Sequence, residues 1–200
     1  MRGKVRIIGI TGGVGAGKSE VLQLIQANYN AVILMADNIA NEVKMPGQPC
    51  YEAIVALLGN DVLLADGTID KAKMATRIFG SRELLQKTNE IIHPAVRTYI
   101  LEKIATCKQA GQYDYLFVEA ALLIEEHYDE ICDELWYVYA DEPIRCQRLK
   151  QSRGYSQDKI DAIMAKQLPD DVFRAHCKVV IDNSGAIEDT YRQIKEKLEA

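Results

Sequence analysis

The sequence predicts an α/β fold, a five-stranded parallel sheet flanked by helices, on three observations. Five short runs rich in β-branched and aromatic residues recur along the chain: Val5–Ile10 (VRIIGI), Ala31–Met35 (AVILM), Tyr115–Val118 (YLFV), Leu135–Tyr139 (LWYVY) and Val179–Ile181 (VVI). The segments between them show helical spacing instead of alternation, as strands joined by crossover helices require. A glycine-rich turn, Gly12–Ser19 (GGVGAGKS), joins the first run to the first helical segment.

Each element follows in turn. Val5–Ile10 is a continuous apolar run stopped by Thr11 and glycines, which reads as a buried strand. Lys18–Ala27 places Val21, Leu22, Leu24 and Ile25 at helical intervals. Ala31–Met35 delivers Asp37 just past its end, and Tyr115–Val118 delivers Glu119. The last strand is followed by Asp182-Asn183-Ser184-Gly185 as a turn. Ligands of parallel sheets bind beyond the carboxyl ends of the strands, so all these tips are candidate site positions. About eighty residues between the second and third strands contain no convincing strand. There Asp70 is a candidate N-cap for a helix over Lys71–Phe79, and a longer helix is expected from about Pro94 to Gln109. The tail from Ile187 to Ala200 is an amphipathic helix with Ile187, Tyr191, Ile194 and Leu198 on its packing face. The expected organisation is one domain, with a core over 1–36, 113–142 and 178–200, a helical acceptor lobe over about 37–112 and a lid over about 143–177.

Composition narrows the partners. The chain of 200 residues carries a net charge of −5, which argues against general nucleic-acid binding. The charge is uneven. Residues 143–178 hold Arg145, Arg148, Lys150, Arg153, Lys159, Lys166, Arg174 and Lys178 against Asp158, Asp161, Asp170 and Asp171, a balance of +4 against −9 for the remainder. A basic segment on an acidic protein suits a small polyanion. The five cysteines include no Cys-x-x-Cys pair, so free thiols in a reducing cytosol are expected. No signal-peptide pattern or apolar run of membrane-spanning length is present in the sequence. A cytoplasmic protein, monomeric or weakly homo-oligomeric, without nucleic-acid or membrane partners, is the expectation.

The glycine turn carries the chemistry. Gly12, Gly17, Lys18 and Ser19 match Gly-x-x-x-x-Gly-Lys-Ser/Thr, the P-loop, with a strand before and a helix after. Backbone N–H groups of Gly13, Val14, Gly15, Ala16 and Gly17 would form an anion nest at a helix N-terminus. Lys18 would neutralise the β- and γ-phosphates of ATP, and the Ser19 hydroxyl would hold Mg²⁺. Neither the Asn-Lys-x-Asp of a guanine reader nor the Leu-Ser-Gly-Gly of an ABC-type ATPase occurs. What remains is a small-molecule kinase. Asp37 could accept the proton of an attacking hydroxyl, or cap a helix over Asn38–Val43. Glu119 occupies the strand-tip position where P-loop proteins keep an acid near Mg²⁺ or its waters, and Glu125 follows on what reads as the next helical turn.

Five stretches make the reading specific: Ile8–Ser19 (IGITGGVGAGKS), Met35–Ala40 (MADNIA), Ile91–Val96 (IIHPAV), Val118–Glu125 (VEAALLIE), and a last part with Gln147-Arg148-Leu149, Arg153-Gly154-Tyr155-Ser156, Gln167 and Val180–Gly185 (VIDNSG). Together they resemble the dephospho-coenzyme A kinases, which transfer the γ-phosphate of ATP to the ribose 3′-hydroxyl of dephospho-CoA. The resemblance spans nearly the whole chain. It implies Asp37 as general base, Arg153 closing on the triphosphate with Arg148 as a second arginine, and Asn183 beside the adenine. It also implies His93 and Glu119 on the dephospho-CoA side, with His93-Pro94 opening the long helix. The sequence departs from the family pattern in two places. Glu119-Ala120-Ala121 stands where Asp-x-Pro is usual, and Lys178 stands where an Asp is common. Two rivals remain: a kinase for another small hydroxyl or nucleoside monophosphate, and a nucleotide-binding module that does not turn over.

Overall fold

A computed structural model describes residues 4–199. Residues 1–3, assigned above to the core, and Ala200, assigned to the last helix, lie outside the described residues. The strands are β1 (Arg6–Thr11), β2 (Ala31–Met35), β3 (Tyr115–Glu119), β4 (Glu134–Tyr139) and β5 (Val179–Asp182). They form one parallel sheet in the order β2-β3-β1-β4-β5. Each predicted run is a strand, with ends shifted by at most one residue. In register, Ile8 pairs with Phe117, Ile10 with Trp136, and Val138 with Ile181.

The helices are α1 (Lys18–Asn28), α2 (Ala36–Glu42), α3 (Tyr51–Leu58), α4 (Lys71–Phe79), α5 (Arg82–Ala110), α6 (Glu142–Arg153), α7 (Gln157–Met164), α8 (Asp170–His176) and α9 (Ile187–Leu198). The chain divides into two compact units, residues 34–106 and the remainder.

In the sheet unit one face buries Ile8, Ile10, Phe117, Trp136, Val138 and Ile181 against Val21, Leu22 and Ile25 of α1 and Ile194 and Leu198 of α9. Burial on both faces explains why the strands read as unbroken apolar runs. On the other face Phe173 of α8 stacks on Tyr137 of β4, ring centroids 4.6 Å apart.

The second unit is helical. The carboxylate of Asp70 caps α4, accepting from the N–H groups of Ala72 at 2.8 Å and Lys73 at 3.2 Å. As expected, no strand forms between β2 and β3 among the described residues; Leu63 and Ile69 make only an isolated antiparallel bridge across the Leu64–Thr68 turn. The long helix needs correction. His93-Pro94 does not open it; α5 starts at Arg82 and carries Pro94 in its interior. An interior proline costs a helix about 3 kcal/mol. Here that is outweighed by a buried stripe at four-residue spacing, Thr88, Ile92, Val96, Ile100 and Ile104. Pro94 itself is exposed, off that stripe.

Candidate phosphate-transfer site

β1 runs directly into the glycine loop, and α1 begins at Lys18 with Gly17 as its N-cap. Gly17 sits at φ 90°, in the left-handed region that glycine adopts without strain. A Cβ there would also lie 2.1 Å from Nδ2 of Asn183. No side chain caps α1. The positive end of the helix is therefore left for an anion.

The loop's carbonyls are held in alternation. Lys18 Nζ donates to Gly12 O at 2.8 Å, Arg145 Nε to Val14 O at 3.0 Å, and Asn183 Nδ2 to Ala16 O at 2.9 Å. Arg148 Nη1 adds a longer bond to Ala16 O, 3.3 Å. In a planar trans peptide the N–H points opposite to its C=O. Each held oxygen thus leaves the N–H of its own peptide, on Gly13, Gly15 or Gly17, pointing away from the group that holds that oxygen. Among the described residues none of these three N–H groups donates to a protein acceptor. Three unengaged donors beside a lysine and a helix N-terminus can bind a chain of phosphates.

Lys18 also faces Glu119 at the end of β3, with Nζ 3.8 Å from Oε1 and both side chains largely buried. Ser19, the second residue of α1, is exposed. Glu125 lies in a run of turns over residues 121–127 instead of on a helix, and it is exposed.

Asn183 takes a part different from the one expected. Its side chain is 1% exposed and its amide is fully engaged. Nδ2 donates to Ala16 O and to Glu20 Oε2 at 3.0 Å, while Oδ1 accepts from Thr190 Oγ1 at 2.8 Å. Its backbone carbonyl accepts from Arg148 Nη2 at 2.9 Å. Asn183 thus anchors the loop from behind, and adenine contact by its side chain is not what this geometry supplies.

Arg145 was read from the sequence only as one charge of a basic segment. Besides Val14, its Nη2 reaches Gln167 Oε1 at 2.5 Å, and a Cβ on Gly13 would lie 2.3 Å from Nη2. It braces the loop against the segment between α7 and α8. The detectable signal was its place three residues before Arg148 on α6, which puts both guanidiniums on one helix face. Beyond Arg145 lies a cavity of about 470 Å³ lined in part by Tyr137, Tyr139, Gln167, Asp170 and Phe173. Burial and the Asp170 carboxylate both push the Tyr137 phenol well above its ordinary pKa. Arg153 is elsewhere: at the exposed end of α6, with its guanidinium 5.9 Å from the ring centre of Tyr155.

The remaining sequence candidates belong to the helical unit. Asp37 is not the cap of α2. The helix starts at Ala36 with Met35 as N-cap, and Asp37 is an exposed residue of its first turn. There a carboxylate is favoured by the helix dipole. Its backbone carbonyl accepts from Asn41 Nδ2 at 2.9 Å. His93 is half-buried within α5.

Among the described residues no helix is long and apolar enough to cross a membrane. No disulfide joins the five cysteines, four of which are buried.

The profile of the dephospho-CoA kinase family matches residues 6–189. The chain is similar to the dephospho-CoA kinase of Carboxydothermus hydrogenoformans, 38% identical over 94% of this chain and 90% of that one. It is also similar to that of Aquifex aeolicus, 36% identical over 96% and 95%. A solved structure from Thermus thermophilus aligns with TM-score 0.81 at 26% identity, covering 98% of each chain. The dephospho-CoA kinase of Campylobacter jejuni aligns with TM-score 0.72 at 18% identity over 96% and 95%, a likeness of fold. A shikimate kinase from Acinetobacter baumannii shares the fold more loosely, TM-score 0.52. With a match of this extent added to the glycine loop and the parallel sheet, the chain belongs to the dephospho-CoA kinase family, which catalyses the last step of coenzyme A biosynthesis.

Proposed function

We propose that the residues above divide the family's reaction, ATP-dependent phosphorylation of the ribose 3′-hydroxyl of dephospho-CoA, as follows. The N–H groups of Gly13, Gly15 and Gly17 hold phosphate oxygens, with Val14 and Ala16 completing the loop. Lys18 neutralises the charge that gathers as the γ-phosphoryl group leaves ADP. Asp37 accepts the proton of the 3′-hydroxyl while that oxygen bonds to the γ-phosphorus and the bond to the β–γ bridging oxygen breaks. Support for Asp37 comes from chain order: it follows the carboxyl end of β2, and ligands of parallel sheets collect beyond such ends. Arg153, exposed on α6, closes on the triphosphate as the reaction proceeds, a task suited to a forked guanidinium. Arg148 and Asn183 serve the ATP site through the loop that they hold. Glu119 and His93 face the acceptor side.

Mg²⁺ fits the donors present. The exposed Ser19 hydroxyl and the Glu119 carboxylate are hard oxygen ligands, and Mg²⁺ habitually takes the rest of its octahedron from phosphates and water. When bound, it would offset charge on the phosphate oxygens. A cytoplasmic protein, monomeric or weakly associating, completes the proposal.

The observation that carries the reading is the alternation of held carbonyls and unengaged N–H groups in the glycine loop. Its test is an assay of purified protein with ATP, Mg²⁺ and dephospho-CoA, following CoA formed. Turnover of dephospho-CoA, with none of AMP, CMP or shikimate, is the expected result. ATP binding without turnover of any acceptor would overturn the proposal in favour of a nucleotide-binding module.

A further inference from the structure

Gln167 stands in the last of the motif stretches, yet none of the roles proposed above falls to it. It is half-buried, just past the end of α7. Its side-chain carbonyl accepts from Arg145 Nη2 at 2.5 Å, across 22 residues of chain. Both sides of this position are fixed. On one, the N–H of Gln167 donates to Met164 O at 3.1 Å. On the other, α8 is pinned to the sheet by the stack of Phe173 on Tyr137. Gln167 is therefore presented from a supported backbone.

The surroundings of Arg145 show why such a hold is needed. An arginine side chain has many rotamers to choose from. The cavity of about 470 Å³ that Arg145 lines gives its guanidinium room to swing away from the loop. Among the described residues only Val14 O and Gln167 Oε1 accept from that guanidinium. One bond through Nε leaves the planar fork free to pivot, and a second bond through Nη2 stops it.

The acceptor is also neutral. Among the described residues no carboxylate stands at ion-pair distance from Arg145, and Asp170, which lines the same cavity, is paired with Arg174 at 2.6 Å. A Cβ on Gly13 would collide with the guanidinium. An uncompensated positive charge thus lies against a glycine whose N–H is one of the three unengaged donors. A carboxylate at 167 would hold the same fork and neutralise it; an amide holds it and leaves the charge for an anion.

We infer that Gln167 is a positioning residue for the nucleotide: through Arg145 it sets the orientation of the Val14 peptide, and with it the Gly15 N–H, and keeps the guanidinium charge available to the triphosphate. The inference rests on the proposed function above, in which that loop holds ATP. Gln167 acts through Arg145 and not on the phosphates themselves.

The test reads the Kd of ATP by calorimetry, KM for ATP and for dephospho-CoA, and melting temperature. It compares the wild type with Gln167→Leu, Gln167→Glu, Arg145→Ala and the double variant Arg145→Ala with Gln167→Leu. Gln167→Leu should raise Kd and KM for ATP about fivefold, part of the worth of a charge-assisted bond, with KM for dephospho-CoA within about twofold. Once Arg145 is alanine, the same change should cost nothing further. Gln167→Glu should keep the melting temperature, because the fork is still held, yet weaken ATP about threefold, because the charge is spent. Additive losses in the double variant overturn the positioning role, as does an equal rise in both KM values or wild-type ATP affinity in Gln167→Leu. Wild-type ATP affinity in Gln167→Glu overturns the reserved charge. Should the wild type bind ATP and phosphorylate no acceptor, the proposed function fails, but the calorimetric comparison still decides Gln167. Absence of ATP binding sinks both. If Gln167→Leu does not fold, Gln167→Met, which keeps the side-chain length without the carbonyl, carries the same prediction.

Discussion

Around the glycine loop the bracing side chains are engaged: the buried Asn183 uses all of its amide, and the half-buried Arg145 and Arg148 spend their guanidiniums on carbonyl oxygens. Along α2 they stand open: Asp37 is exposed, and Lys44 is half-buried with no hydrogen bond among the described residues. The loop must present the same donors to every triphosphate, so rigidity assembled in advance costs nothing at the moment of reaction. In the proposed function the α2 face receives the larger, flexible acceptor, so its polar groups await partners supplied by that substrate.

Substitutions can break or sharpen this contrast. The largest effect on turnover belongs to the open side. Asp37→Asn should lower kcat by roughly 10²–10⁴-fold, the range of a lost general base, while ATP affinity stays nearly intact. Normal turnover in that variant would refute the choice of base. Lys18→Ala should cost about 10²–10³-fold in kcat and weaken ATP binding as well, because Lys18 holds Gly12 O and, in the proposed function, neutralises the phosphates. An isolated effect on kcat would show that the loop does not depend on it for shape.

Smaller effects probe the bracing. Arg145→Gln keeps some hydrogen bonding but frees Val14 O. It should raise KM for ATP by about tenfold, the worth of a charge-assisted bond, with KM for dephospho-CoA unmoved and Arg145→Lys partly restoring it. Equal changes in both KM values would reduce Arg145 to a general stabiliser. The smallest effect concerns pH. Burial raises the Cys177 thiol from its ordinary 9.0 to about 12. The unfolded chain therefore loses this proton first, and stability contributed by the neutral thiol is whole below pH 9 and lost as pH rises towards 12. Wild-type melting temperature should fall faster between pH 9 and 11 than that of Cys177→Ala. Parallel curves would show that the thiol is not what titrates.

Local rules carried much of the fold. Ala31–Met35 and Lys71–Phe79 have the boundaries read from the sequence, the second because Asp70 caps its own helix within three residues. The start of α5 was not legible in this way. Proline at 94 is a local stop signal, and the stripe from Thr88 to Ile104 overrides it only once those side chains have something to pack against. Asn183 was misplaced for a related reason. A polar residue in a turn after a strand looks like a ligand contact until Ala16, Glu20 and Thr190, far away in sequence, are seen to surround it.

The sequence by itself determined the sheet, through apolar runs separated by helical spacing, and the phosphate loop, through glycines, a lysine and a serine at fixed spacing after a strand, while the five motif stretches together carried the family resemblance. Tertiary structure alone decided which residues hold that loop in shape. Arg145, Arg148 and Asn183 reach it across 131, 132 and 167 residues of chain, and hydrogen bonds over such separations leave no periodicity for a local reading to find.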